Sequence, residues 1–371
     1  MSRLDPALAA TRVAVRRVLA EGDPGDVAVV ACSGGADSSA LVAATVFEAA
    51  KVGVRVVGVT VDHGLQPGSA AQAAATVELM AELGVDETLT ATVKVDARGM
   101  GPEAAAREAR YRVLEEVADR VAARWVLLGH TLDDQAETVL LGLARGSGGR
   151  SVAGMRRRFD RFVRPFLDLT RAQTEAACAA LAVVAWQDPH NDDPGFARVR
   201  VRRRVLPVLE RELGPGVAAS LARTADLLRP DMELLDALAE QALAAATVDA
   251  DTDLGAEADA DASAGASGDL ASAHARAHAE HAGDPSGSST AGLGPALAVG
   301  VLEDLPEALR TRVLRAAALA AGALADELFH EHVLELDRLV TDWRGQRWID
   351  LPGHVRALRS QGRIRFAAAR P

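Results

Sequence analysis

The first 185 residues alternate between short apolar runs and helix-length segments, and few folds accommodate that rhythm. Val27–Ser33 (VAVVACS), Val54–Asp62 (VRVVGVTVD), Glu87–Asp96 (ETLTATVKVD) and Trp125–His130 (WVLLGH) read as strands, being short and mostly rich in β-branched residues. Helical patterns fill the intervals, over Ser38–Lys51, Ala70–Leu83, Pro102–Ala123 and Leu132–Arg145. Strands separated by helices of this length pair in parallel, because each crossover returns the chain to the edge it left. The expected fold class is therefore α/β, a parallel sheet with helices on both faces. That topology gathers the loops that follow the strands on one edge, where ligands bind.

The rest of the chain divides by composition. The N-terminal segment MSRLDPALAATRVAVRRVLAEG reads as an amphipathic helix, with arginines throughout and no uninterrupted apolar core of the kind a secretory signal needs. Residues 198–246 carry apolar positions at helical spacing, as in LLRPDMELLDALAEQAL. From 247 to 292 the chain is built of Ala, Asp, Gly and Ser with almost no large apolar residue. Such a segment buries too little surface to offset its ordering entropy, so it is expected to be a disordered linker. Its His274, His278 and His281 lie at helical spacing, but in this composition they are read as incidental. Beyond Pro295, helices to about Trp343 and then short strands in RWIDLPGHVRALRSQGRIRF suggest a small α+β domain. The expected organisation is thus a catalytic domain over 1–212, a helical segment over 213–246, the linker, and a substrate-binding domain over 293–371.

The net charge of −11 argues against a polyanionic partner when taken alone. Its distribution reverses the argument: between Arg145 and Arg211, fourteen arginines face seven acids. A nucleic acid responds to that local field, not to the sum. No run of about 18 apolar residues is free of charge, which argues against a membrane-spanning helix. The two cysteines, Cys32 and Cys178, are far apart and form no CxxC pair, which fits a reducing, cytoplasmic setting.

The sharpest chemical signal is Ser33-Gly34-Gly35-Ala36-Asp37-Ser38, set between the first strand and the next helix. Glycines let backbone N–H groups turn toward a phosphate, and the helix start adds free N–H groups and the positive end of its dipole. No Gly-Lys-Ser/Thr follows and GxGxxG is absent, so this is neither a Walker loop nor the dinucleotide fingerprint. Asp37 would repel phosphate unless a divalent cation sat between, which points to Mg²⁺. The alternative is an ordinary first-turn acid on a helix. A second pair of acids, Asp134 and Glu137, falls one turn apart behind the fourth strand, where it can hold a metal or an amine.

The SGGxDS pattern of Ser33–Ser38 resembles that of the pyrophosphate-loop ATP pyrophosphatases, which cleave ATP between the α and β phosphates and adenylate an oxygen of their substrate. Within that superfamily the chain resembles the tRNA(Ile)-lysidine synthetases. The resemblance is carried by Val61-Asp62-His63-Gly64-Leu65, Gly101–Tyr111 (GPEAAAREARY) and Leu128–Thr138 (LGHTLDDQAET). It continues through Arg145–Gly148, Arg164-Pro165-Phe166, Asp188–Asp193 and Arg198–Arg202, covering about residues 25–215. His190 and Val199 depart from the family form, where Ser and Asn are usual.

The resemblance implies a reaction. ATP would activate the C2 carbonyl of the wobble cytidine in the isoleucine tRNA with a CAU anticodon. The ε-amine of free L-lysine would then displace AMP and leave lysidine. Ser33, Gly34, Gly35, Ala36, Asp37 and Ser38, with His63 and His130, would bind ATP. Asp37, with Asp134 in support, would hold Mg²⁺. Asp134 or Glu137 would hold the amine and accept its proton, and Arg110 and Arg202 would counter negative charge. Arg198, Arg200, Arg202, Arg203 and Arg204 would grip the tRNA backbone. Two other readings stay open: another enzyme of the superfamily, such as a tRNA thiolase or an amide-forming synthetase, and a non-catalytic ATP- or RNA-binding module. Thiolases that use paired cysteines are disfavoured, because neither Cys32 nor Cys178 has a partner in the sequence.

Overall fold

The apolar run at Val27 becomes a central strand of a six-stranded sheet in a computed structural model, which describes residues 4–62, 64, 68–93, 102–146, 148–248, 294–346 and 348–369. The chain divides into two compact units, Met1–Pro230 and Asp231–Pro371. In chain order the first unit has α1 (Pro6–Leu19), β1 (Val27–Ala31), α2 (Ala36–Val52), β2 (Arg55–Asp62), α3 (Ser69–Glu82), β3 (Glu87–Thr92), α4 (Pro102–Arg120) and β4 (Trp125–Leu127). There follow α5 (Leu132–Ala144), a short α6 (Gly149–Val152), β5 (Arg158–Phe159), β6 (Phe162–Val163) and α7 (Arg171–Ala180). A helical run then comprises α8 (Ala197–Arg200), a π-helical turn (Val201–Val205) and α9 (Leu206–Leu213). The last helix, α10 (Val217–Ala246), contains Pro230, where the division between units falls.

The strand order is β3-β2-β1-β4-β6-β5. All neighbours are parallel except β5, which turns back antiparallel on β6 at the edge. Alternation along β1 explains why helices cover both faces. Ala28 and Val30 join a core with Val15, Leu41 and Phe166, while Val27 and Val29 join another with Leu114, Val117 and Phe162. The first face is covered by α1, α2 and α7, and the second by α4. Asp5 starts α1 by accepting from the Ala7 amide at 2.8 Å. Glu48, 2 % exposed, ties α2 back to α1 through Arg16 at 2.8 Å and pairs with Lys51 at 2.8 Å.

The expected elements of this unit are present, with earlier strand ends: β1 stops at Ala31 and β4 at Leu127, so Cys32–Gly35 and Leu128–Thr131 are free to form loops. The β5–β6 hairpin is a correction to the purely parallel expectation.

In the second unit, β7 (Thr247–Val248), β8 (Ala296–Ala298), β9 (Ile349–Leu351), β10 (Val355–Ser360) and β11 (Arg363–Ala368) form an antiparallel sheet in the order β7-β8-β11-β10-β9. It packs with α11 (Val299–Glu303), α12 (Glu307–Ala320) and α13 (His330–Thr341) around Leu297, Leu314, Leu336 and Phe366. Gln361 and Gly362, both at positive φ, make the tight turn between β10 and β11. The stretch read as a linker from 247 thus begins with a strand, and its residues 249–292, with their three histidines, lie outside the described residues.

Candidate active site

The loop Ser33–Gly35 leads from the end of β1 into α2. Gly34 has φ +84°, and a Cβ there would come within 3 Å of the Thr76 and Gln72 side chains, so the position accepts only glycine without disturbance. Gly35 precedes α2 and offers no side-chain cap, which leaves the first-turn N–H groups of that helix for another acceptor. The Ser38 hydroxyl braces the turn from inside. It accepts from the Ser33 amide at 3.1 Å, shares a hydrogen bond with the Ser33 hydroxyl at 3.2 Å, and donates to the Gly35 carbonyl at 3.0 Å.

Two neighbours hold the loop from outside. Gly129, following β4, approaches α2 so closely that a Cβ would lie 3.0 Å from the Ser38 backbone. From the α7 side, the Cys178 thiol donates to the Ala36 carbonyl at 3.3 Å and the Trp186 amide donates to the Gly34 carbonyl at 2.8 Å.

The three acids named from the sequence converge beside this loop, around an arginine that the sequence reading did not single out. Arg171, the first residue of α7, lies 3.5 Å from Asp37, 3.0 Å from Asp134 and 3.6 Å from Glu137. Its backbone amide donates to Asp133 at 2.7 Å, which fixes the start of α7 against the start of α5. Asp37 also accepts a hydrogen bond from the Thr174 hydroxyl. Burial pushes the Asp37 carboxyl up to about 6, and the charge of Asp134 adds to the effect against the hydrogen bond from Thr174 and the charge of Arg171. Asp134 has both oxygens engaged: one accepts from the Thr131 amide at 2.8 Å and hydroxyl at 3.0 Å, and the other faces Arg171 and Arg202. Burial acts against ionisation of Asp134, yet the charge of Arg171 and the hydrogen bond from the Thr131 amide outweigh it and hold its carboxyl low.

Glu137 is fully buried and surrounded by guanidinium groups. Arg202 pairs with it through two bonds, at 2.6 and 3.1 Å, and Arg198 approaches to 3.5 Å while donating to the Thr138 hydroxyl at 2.9 Å. The π-helical turn contributes to this arrangement by burying Val201 against the α5 side while Arg202 turns to Glu137. The basic stretch expected to grip tRNA is therefore divided. Arg198 and Arg202 belong to the acid cluster, whereas Arg200, Arg203 and Arg204 are exposed. Arg203 pairs with Asp192 at the surface, and Arg200 donates to the carbonyls of Pro194 and Gly195. Val199, one of the two departures from the family form, is a core residue; the side chain of His190, the other, lies outside the described residues.

His130, beyond the end of β4, is held neutral. Burial lowers its pKa to about 3 against the pull of Asp134, and the charges of Arg164, Arg107 and Arg110 add to the lowering. Arg164 donates through Nε to His130 Nδ1 at 3.2 Å, so the remaining ring proton is on Nε2, where His130 can donate. Arg164 also donates to the Tyr111 hydroxyl at 2.9 Å, and the Tyr111 ring packs edge-on against Phe162. Next to these groups opens a cleft of about 460 Å³ whose walls include Arg107, Arg156, Arg164, Thr138, Met155 and Phe159. Arg110 is exposed on α4 and acts on His130 by charge. His63 lies outside the described residues.

The donor set suits a magnesium ion carried in on phosphates. Mg²⁺ keeps waters and phosphate oxygens and needs only one or two carboxylates. Asp37 supplies one whose ionisation a cation would favour, and Asp134 has one oxygen that guanidinium groups now hold. Among the described residues no three His, Cys, Asp or Glu side chains form a metal cage.

Two family models match the chain: the PP-loop domain over residues 10–209 and the TilS substrate binding domain over residues 297–365. A curated tRNA(Ile)-lysidine synthase from Thermobifida fusca is 47% identical over 369 residues, covering 99% of this chain and 100% of that one. The chain belongs to the tRNA(Ile)-lysidine synthase family. The family member from Streptomyces coelicolor is 44% identical over 388 residues, covering 97% of each chain, and that from Salinispora tropica is 46% identical over 369 residues, covering 98% of this chain and 97% of its own. Among solved structures, the U34-tRNA thiolase NcsA from Methanococcus maripaludis with its [4Fe-4S] cluster superposes with a TM-score of 0.51 at 19% identity, over 60% of this chain and 80% of that one. That likeness concerns the fold. In this member of the lysidine synthase family, Cys32 and Cys178 are both buried, each with its thiol directed at the phosphate-loop backbone or side chains.

Proposed function

We propose that the protein joins free L-lysine to C2 of the wobble cytidine of the isoleucine tRNA with a CAU anticodon, in the cytoplasm, releasing AMP and pyrophosphate from ATP. The observation that carries this reading is the meeting of Asp37, Asp134 and Glu137 beside a phosphate-type loop, on the edge of the sheet where such loops gather.

In the first half-reaction the cytidine C2 oxygen attacks the α-phosphorus and pyrophosphate leaves. The uncapped N–H groups of α2 and the Ser33–Ser38 loop stabilise the charge that develops on the phosphates. Asp37, with Asp134 in support, would hold Mg²⁺, which supplies charge neutralisation on the leaving pyrophosphate. His130, neutral and protonated on Nε2, donates without adding charge. Arg110 and Arg202 counter the negative charge of the adenylate.

In the second, the lysine ε-amine attacks C2 and AMP departs with the oxygen. Lysine is protonated at neutral pH, so one proton must go to a carboxylate before or during attack. Asp134 or Glu137 would hold the ammonium group and take that proton. Arg200, Arg203 and Arg204 are the exposed cations suited to the tRNA backbone.

The test is AMP release from ATP with the tRNA and each of lysine, ammonia or a sulfide donor in turn. Release that needs both this tRNA and lysine supports the proposal. Release with ammonia or sulfide in place of lysine overturns it in favour of a different pyrophosphate-loop reaction.

A further inference from the structure

Six opposite charges are paired among themselves at the edge of the sheet: Asp37, Asp134 and Glu137 against Arg171, Arg198 and Arg202. The cluster is balanced, three against three. An incoming cation, whether a lysine ammonium group or Mg²⁺, can take these acids only if a guanidinium group gives way.

Geometry selects which one. Arg202 is fastened to Glu137 through two bonds, and Arg198 is additionally held by the Thr138 hydroxyl. Arg171 spreads over all three acids at 3.0 to 3.6 Å, with only the bond to Asp134 at full hydrogen-bond strength. Of the three arginines, Arg171 is the one that has Asp37 of the phosphate loop among its ion-pair partners. The helix it starts is fixed to that loop by the Thr174–Asp37 and Cys178–Ala36 hydrogen bonds. Its charge therefore sits within reach of both the acids and the place where phosphates would bind.

We infer that the Arg171 guanidinium group stands in for the incoming cations between Asp37, Asp134 and Glu137, and moves onto the phosphates of ATP when they arrive. That movement opens the acids to the lysine ammonium group and couples lysine binding to ATP binding. The coupling has a purpose in the chemistry, because an amine seated before the adenylate exists has nothing to attack. The inference rests on the lysine-transfer reading above, and it makes ATP and lysine mutually strengthening ligands.

Calorimetric titration of L-lysine into the full-length protein, with and without Mg²⁺ and a non-hydrolysable ATP analogue, tests it. For the native protein the analogue is expected to tighten lysine binding about tenfold or more. Arg171→Gln is expected to bind lysine without nucleotide about tenfold more tightly than the native protein, to lose most of the coupling, and to lower kcat without raising the lysine KM. Arg171→Lys keeps one cation that cannot span three acids, and should fall between the two. The inference is overturned if either variant, folded by circular dichroism, retains the native dependence of lysine affinity on nucleotide, or if the native protein shows no such dependence. Lysine incorporation into tRNA by the same native preparation separates the two failures. Incorporation with unchanged coupling removes the role of Arg171 alone, whereas no incorporation and no lysine binding under any condition removes the lysine-transfer reading and this inference with it.

Discussion

Glu137 has no exposure to water and three guanidinium groups around it. Glu137→Gln removes one of the two acids proposed to hold the lysine amine or accept its proton. It is expected to lower AMP release by about 100-fold or more while the far-ultraviolet spectrum stays native. The same change leaves Arg202 with the longer 3.6 Å ion pair to Asp134 and should cost about 2 kcal/mol of unfolding free energy in a urea titration. Gly129 is a second informative position. An alanine there meets the Ser38 backbone at 3.0 Å, so the start of α2 must shift. Gly129→Ala is expected to raise the KM for ATP several-fold, and an unchanged KM would show that the loop tolerates the shift. Much of the residue-level site is legible in the sequence, because Ser33–Ser38, Asp134 and Glu137 each sit in a local pattern with its own chemistry. Arg171 and Thr174 are not. Thr170 and Gln173 mark the start of a helix, but nothing local says that Thr174 meets Asp37, 137 residues earlier.

At the scale of elements, Glu48 makes a clean test of how α2, the helix that presents the phosphate loop, is anchored to α1. Its hydrogen bond to Arg16, aided by Lys51, holds its carboxyl down at about 2 against the opposing cost of burial. A carboxyl lowered in the folded state stabilises above its unfolded pKa of about 4.3, and that stabilisation is lost as pH falls toward 2. Glu48→Gln should therefore cost about 1–2 kcal/mol at pH 7, with the native–variant difference shrinking as the pH is lowered from about 4.5 to about 2.5 in urea titrations. A difference that does not change with pH would mean that packing, not charge, anchors the helix. The long elements can be read from their period: β1, β2, α2 and α5 fall within a few residues of expectation. The β5–β6 hairpin cannot, because its strands are two residues each inside the arginine-rich MRRRFDRFVR, and only tertiary packing of Phe159 on Phe162 and Tyr111 reveals them. The π-helical turn is equally hidden, since its sequence VRRRV differs in no local way from an ordinary helix.

For the molecule as a whole, the net charge of −11 and a proposed polyanionic substrate are reconciled by position. Arg200, Arg203 and Arg204 are exposed on one helical run, although Arg203 shares its charge with Asp192. Replacing Arg203 and Arg204 with alanine should weaken tRNA binding in a filter assay. The salt dependence of the binding constant should fall by roughly one power of salt concentration for each phosphate no longer neutralised. Lysine affinity should be unchanged, because neither side chain belongs to the acid cluster. Composition sets apart the stretch from 247 onward, and the antiparallel sheet with its three helices in the second unit follows the expected α+β character, but pairing β7 with β8 is a long-range event that no local pattern announces. The central claim, lysine transfer to a wobble cytidine, is tested most directly by incubating the protein with ATP, Mg²⁺, radiolabelled lysine and the CAU isoleucine tRNA, then digesting the tRNA to nucleosides. The account predicts label in an alkali-stable nucleoside derived from the wobble cytidine, and none when that base is replaced. Label released by mild alkali from the 3′ end, or no label in protein that still cleaves ATP, would contradict it.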